Sequence, residues 1–249
     1  SEGWFSAVYL NLRMYSEHGV LADRSSDISS IFTAAMIDPL PEKQREFLAV
    51  MGLADEFTVE MAQDIMQTGD AAELLAALTG QNAFVRRLPD GVTYRFHHMM
   101  KECALRVFLT LPQERRNDCR RRFGAWYEQH RQYLHAMQAY YQSGDYHALL
   151  RVVQQDAGIL LSSLDPKNVL DFLDECPEDT LKAHPAALLV LMRSMFNWRN
   201  IPRMLTLRQL LLTAIDEDTQ RSAEERGNLL GACDLIMSFL CYNDISAMS

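Results

Sequence analysis

The stretch that decides the fold lies at residues 84–100 and reads FVRRLPDGVTYRFHHMM. Residues 84–88 and 92–96 are rich in strand-forming side chains and flank a Pro-Asp-Gly turn, which predicts a β-hairpin. A helical pattern then runs over about 98–109. His97 and His98 therefore lie where a strand gives way to a helix. Adjacent histidines at such a junction either serve ordinary structure or hold an anion at the N-terminus of the helix.

The segment before the hairpin completes a winged-helix pattern. Thr58 is placed to cap a helix, and a short break then separates that helix from the next one, as in a helix-turn-helix. The helices predicted before the hairpin lie at about 28–37, 41–51, 58–67 and 71–78. The last three of these helices and the hairpin that follows them are typical of a winged helix, and we assign residues 23–111 to that domain.

The second helix of this helix-turn-helix argues against DNA binding. Residues 70–78 contain two acids, Asp70 and Glu73, and no basic side chain. A recognition helix needs Arg, Lys, Asn or Gln to contact bases and phosphates, and Arg86 and Arg87 in the hairpin do not replace them. The chain of 249 residues also carries a formal net charge of -9, which disfavours binding to nucleic acid. We therefore expect no direct DNA binding by this chain.

Strand signals disappear after Pro112, and short breaks separate amphipathic helices from there onward. Such links predict antiparallel helical hairpins. These helices are predicted at about 113–131, 133–143, 146–162, 166–174, 185–198, 201–215 and 221–242. The predicted fold class is mostly α, with a winged-helix domain carrying a small β-hairpin, followed at residues 112–249 by a TPR-like antiparallel α-hairpin array. The inner face of such an array is a natural place for an effector.

Five arginines between residues 115 and 122 spread over most of one predicted helix surface. They are Arg115, Arg116, Arg120, Arg121 and Arg122. A charge run of this kind is typical of a solvated face that pairs with nearby acids. The alternative interpretation is an interdomain docking surface.

The sequence contains no pattern typical of an enzyme or a metal site. It has no G-x-x-x-x-G-K-[ST] phosphate loop, nucleophile motif or acid pair, so we expect no catalysis by this chain. His97 and His98 match no zinc-ligand spacing, and the five cysteines are scattered without a C-x-x-C pair. That cysteine usage fits a reducing cytoplasm. No run approaches the roughly 20 apolar residues of a membrane span, so we expect a cytoplasmic chain with no membrane partner.

The order of several short motifs resembles LuxR-type regulators of the MalT class, which are STAND signalling ATPases. Glu2-Gly3-Trp4 looks like the segment that closes their nucleotide-binding region, and residues 47–58 look like their FL…S.L..F passage. Residues 94–99, YRFHHM, are similar to the family's YRFHHLF. Residues 126–146 are similar to its WYE…A…AGDY passage. The resemblance covers residues 2–160 in motif order.

The resemblance implies an internal fragment with three parts. Residues 1–22 would end the helical domain after a missing ATPase module, residues 23–111 would form the winged helix, and residues 112–249 would begin the sensor. In STAND proteins a winged-helix histidine that follows an apolar residue and opens a helix contacts the β-phosphate of ADP. Phe96-His97 matches that pattern, whereas His98 stands where many relatives carry Asp. The nucleotide contact is therefore assigned to His97, with His98 as the alternative.

The same resemblance implies cofactors and partners. ADP or ATP is expected in the parent protein, and no cofactor is expected in the fragment alone. The expected partners are the parent's own ATPase domain, a small-molecule or protein effector, and further copies of the regulator in a self-oligomer. The fragment would couple nucleotide state and effector binding to oligomerisation and transcription activation. The alternative function is a TPR-like adaptor for protein–protein interaction.

Overall fold

A computed structural model describes residues 33–34, 37–80 and 85–243. The Glu2-Gly3-Trp4 segment, the domain expected at 1–22 and most of the helix predicted at 28–37 lie outside the described residues. The chain divides into two compact units between Arg122 and Phe123.

The first unit combines helices with a small antiparallel sheet. Its elements are α1 (Glu42–Met51), β1 (Phe57–Thr58), α2 (Val59–Met66), α3 (Ala71–Gly80), β2 (Val85–Arg87), β3 (Thr93–Phe96), α4 (His98–Thr110) and the start of α5 (Gln113–Gln129). The strand order is β1-β3-β2, with Phe57 opposite Tyr94 and Val85 opposite Phe96. The predicted hairpin is confirmed, and β1 adds a strand that the sequence did not predict.

The predicted cap on α2 is confirmed by its hydrogen bond. The hydroxyl of Thr58 accepts a hydrogen bond from the Met61 amide at 3.2 Å, which satisfies one of the backbone donors left open at a helix start. The helix ends at Met66, and its C-cap residue Gln67 has a φ of 52°, in the left-handed region. These local contacts bound α2, the first helix of the helix-turn-helix. The second helix, α3, follows it and precedes the hairpin.

Phe57 anchors the core of the first unit. Its ring stacks on Phe96 of β3 at a centroid distance of 5.1 Å and meets Phe47 of α1 edge-on at 6.3 Å. Burying one such side chain contributes about 1.5–3 kcal/mol. Helix α1 also approaches α4 closely at Gly52, where an added Cβ would lie only 2.6 Å from the Cβ of Ala104. The core therefore fixes both the sheet and the start of α4.

The second unit consists of helices joined by short links. After the end of α5, its elements are α6 (Tyr133–Ser143), α7 (Tyr146–Gln155), a 3-10 turn (Leu160–Ser163), α8 (Pro166–Glu175), α9 (Glu178–Lys182), α10 (Pro185–Asn197), α11 (Ile201–Glu217) and α12 (Ala223–Asn243). Apolar side chains from these helices, from Ala136 to Cys233, form one buried cluster. A mostly helical fold with a small sheet and a subsequent helical array is therefore confirmed.

Two details of this array differ from the sequence prediction. The continuous helix predicted at 146–162 is wrong, because α7 ends at Gln155 and both Ala157 and Gly158 adopt positive φ, 52° and 75°. Gly158 also lacks room for a side chain, since a Cβ there would lie 2.6 Å from Val190. The short helix α9 was not predicted, because its five residues are too few to show a helical period.

Candidate phosphate-binding cleft

An open cleft of about 1000 Å³ lies in the first unit beside the junction of β3 and α4. It is lined by side chains from α3, β2 and β3, from the junction itself with the first turn of α4, and from the turn before β1. The polar and charged members are Asp55, Glu56, Thr79, Arg86, Arg95, His97, His98 and Lys101. Both sequence-predicted histidines therefore line one cleft.

His97 alone connects β3 to α4. It is the N-cap residue of α4, with φ of -61° and ψ of 144°, and its carbonyl accepts a hydrogen bond from the Lys101 amide at 3.0 Å. The side chain of His97 makes no capping hydrogen bond. The imidazoles of His97 and His98 lie 4.3 Å apart between centroids, and His98 is the more exposed. The first backbone amides of α4 therefore lie beside two imidazole rings. The N-terminal end of a helix also carries a partial positive charge.

The cleft is also rich in cations. Its lining includes three basic side chains, those of Arg86, Arg95 and Lys101, and two carboxylates, those of Asp55 and Glu56. Arg95 forms an ion pair with Glu56, and Lys101 forms one with Asp55.

These ion pairs are accessible to solvent. The side chains of Arg95 and Glu56 are 44% and 42% exposed, and that of Asp55 is 85% exposed. Pairs of this kind contribute only about 0–1 kcal/mol, so an incoming phosphate could replace the carboxylates at little cost. The cleft can therefore offer imidazole, ammonium, guanidinium and backbone N–H donors to one anion.

Sequence reasoning found the histidines but missed most of their neighbours. Arg95 and Lys101 flank the histidines closely in sequence, and Lys101 follows His98 by three residues, which places both on one side of α4. That spacing was the available signal. Asp55 and Glu56 come from more than 35 residues earlier and reach the cleft only through the pairing of β1 with β3. No local pattern marks them.

Arg115 and Arg122 of the arginine-rich segment pair with nearby acids. Arg115 binds Glu46 of α1 at 2.6 Å, and this hydrogen bond raises the pKa of the guanidinium. Arg122 binds Asp118 at 2.5 Å and donates to the Ile65 carbonyl at 3.1 Å. These contacts favour the interpretation as a helix face that pairs with local acids.

The described part of the chain contains neither a cluster of metal-binding side chains nor a membrane-spanning helix. Among residues 33–34, 37–80 and 85–243, no three His, Cys, Asp or Glu side chains come together as a metal site. Within the same ranges, no helix has the length and apolar character needed to cross a membrane.

The comparison with protein families agrees with the architecture around the cleft. Residues 33–117 match the family described as the MalT winged helix domain. The match covers about a third of the chain and includes every residue that lines the cleft. It supports a MalT-like regulator as the class of protein to which the first unit belongs. No curated protein matches the chain significantly.

Proposed function

We propose that this chain is the regulatory and sensor part of a LuxR-family, MalT-like transcriptional regulator. The observation that carries the proposal is the cleft with two histidines at the start of α4, inside the segment that matches the MalT winged helix domain. The helical array of the second unit serves as a TPR-like sensor. Catalysis belongs to an ATPase module of the parent protein, and the chain itself acts as a switch in the cytoplasm.

In this proposal, His97 contacts the β-phosphate of ADP whose remaining contacts come from the parent's ATPase module. The N-terminus of α4 supplies amide donors and a partial positive charge, both suited to phosphate. Arg95 and Lys101 exchange their exposed carboxylate partners for phosphate oxygens. Bound ADP would then join the ATPase module to the winged helix and hold the parent in a closed, inactive monomer.

Effector binding to the sensor favours the open state. ADP stabilises the closed state and the effector stabilises the open, ATP-bound, self-associating state, so each ligand weakens the binding of the other. The coupling needs no direct DNA contact by this chain. It changes the population of the form that oligomerises and activates transcription.

The test measures ADP affinity by calorimetry in the complete parent protein. The variants are His97→Ala and His98→Ala, and the control is His135→Ala, an exposed histidine in α6 outside the cleft. Loss of a hydrogen bond to a charged phosphate costs about 1.5–3 kcal/mol, or roughly a 10- to 150-fold weaker Kd. We expect this weakening, with higher basal activation, for His97→Ala and no change for the control.

Two outcomes would contradict the assignment. Unchanged ADP affinity in His97→Ala would exclude the phosphate contact at that residue. Weakening in His98→Ala alone would move the contact one residue along the chain. The unfolding temperature of each variant without nucleotide verifies that the comparison is between folded proteins.

A further inference from the structure

A second cavity, here called the sensor pocket, lies within the second unit between α6 and α8. Its volume is about 400 Å³, which falls in the range of pockets that hold small organic molecules. Its floor is apolar and buried, and is formed by Met137 of α6, Leu149 of α7, and Val169 and Phe172 of α8. Such a floor excludes water from the apolar part of a ligand.

The mouth of the sensor pocket is polar. Gln138 and Tyr141 project from α6, and Asn168 and Asp171 from α8, each three residues apart and therefore on one side of its helix. An apolar floor with a few converging polar groups is the usual composition of a small-molecule site. The polar groups would orient a ligand whose body rests on the floor.

The charge at this mouth has one sign. Of the described residues that line the sensor pocket, Asp171 is the charged one, and no Lys or Arg is among them. Glu175 adds a second carboxylate nearby, since it accepts hydrogen bonds from Tyr141 and, at 3.3 Å, from Tyr146. Burial and the bond to Glu175 raise the pKa of Tyr141, and the charge of Asp171 raises it further. The mouth therefore repels anions.

We propose that the sensor pocket binds a small organic cation, an amine attached to an apolar body. The apolar body packs on Phe172 and Met137, and the ammonium group pairs with Asp171. The ring of Tyr141 adds a face that attracts cations. This inference deepens the proposed sensor role of the second unit and rests on it, and it assigns a ligand class to the effector.

The test uses three probes that share a phenyl ring and differ in charge. They are 2-phenylethylammonium, 2-phenylethanol and 3-phenylpropanoate, each titrated into the 249-residue chain and followed by calorimetry. We expect the ammonium probe to bind about tenfold more tightly than the alcohol, because a hydrogen bond to a charged group is the stronger. The carboxylate probe should show no binding.

Two variants and one control locate the site. Asp171→Asn removes the charge at an exposed position and should bring the ammonium and alcohol affinities to within about twofold of each other. Asp216→Asn, an exposed acid of α11 outside the pocket, should retain the tenfold preference. Gln138→Trp places a large ring across the mouth without changing the floor, and should abolish binding of every probe.

The proposal is overturned by equal affinities for the three probes, or by a preference that survives Asp171→Asn. Binding that persists in Gln138→Trp would place the site elsewhere. The nucleotide test in the parent protein is independent of these titrations. If 2-phenylethylammonium does not bind and His97→Ala weakens ADP binding as expected, this ligand class is excluded and the proposed switch stands. If 2-phenylethylammonium binds as expected and His97→Ala leaves ADP affinity unchanged, the nucleotide role is excluded.

Discussion

Gly124→Ala tests how tightly α5 packs against α6. Gly124 lies inside α5, and an added Cβ would come within 2.5–2.9 Å of three ring atoms of Tyr140. That ring is buried and cannot move freely, because its hydroxyl donates to Glu128 at 2.8 Å and Arg151 lies over its face. Overpacking of this kind costs about 1–3 kcal/mol. We place the cost in the upper half of that range because the ring is anchored at its far end.

The higher helix propensity of alanine partly offsets this cost. Alanine is favoured over glycine in a helix interior by about 1 kcal/mol. The net change for Gly124→Ala is therefore a loss of about 1–2 kcal/mol in the free energy of unfolding. Gly231→Ala is the matched control, because Gly231 lies inside α12 of the same unit and has no atom within 4 Å of an added Cβ. It should gain up to about 1 kcal/mol.

The assay is urea unfolding followed by tryptophan fluorescence, since Trp126 and Trp198 both belong to the second unit. A double-mutant cycle with Tyr140→Leu isolates the clash, and Gly124→Ala should cost little in that background. Equal stability of Gly124→Ala and Gly231→Ala would refute the expected clash with Tyr140. An equal cost of Gly124→Ala with and without the tyrosine ring would refute it as well.

Two further substitutions should each lower the free energy of unfolding. Glu128→Gln should lower the free energy of unfolding by about 1–3 kcal/mol at pH 7, because Glu128 accepts two hydrogen bonds from Arg151, at 2.8 and 2.9 Å. These bonds hold the pKa of Glu128 below its usual value, so its contribution is complete above about pH 4.3 and disappears as the pH falls through the lower folded-state pKa. Urea unfolding at pH 7 and pH 3 should show wild type and variant converging in acid, and a constant gap would contradict the assignment. Thr58→Ala should cost about 1 kcal/mol through loss of the cap on α2, whereas Thr58→Ser should retain it. Equal thermal stability of these two variants would show that the hydroxyl does not act as a cap.

The features that the sequence predicted well are those controlled by neighbouring residues. The hairpin turn is an example, because the Asp90 carboxylate accepts hydrogen bonds from the amides of Val92 and Thr93, and Gly91 adopts a φ of 73°. A Pro-Asp-Gly sequence encodes that turn locally. By contrast, β1 has two residues and forms through pairing with a strand 35 residues later, so no alternating pattern marks it.

The same distinction applies to the candidate cleft. His97 and His98 could be selected from the sequence because a predicted strand ends and a predicted helix begins at that point. The carboxylates of Asp55 and Glu56 could not be selected, since their place beside Lys101 and Arg95 depends on the folded sheet. The break after Gln155 was also beyond local patterns, because a non-glycine residue adopts positive φ there.

The one-residue connection at His97 has a mechanical consequence. Consecutive Cα atoms are about 3.8 Å apart, so a strand and a helix joined by a single residue have almost no slack between them. On one side, β3 is the central strand and is hydrogen-bonded to both of its neighbours. On the other, α4 lies against α1 at the close contact of Ala104 with Gly52. Under the proposed phosphate contact, a displacement of the His97 imidazole would therefore act on the sheet and on α4 together, and the winged helix would respond to the nucleotide without rearranging a loop.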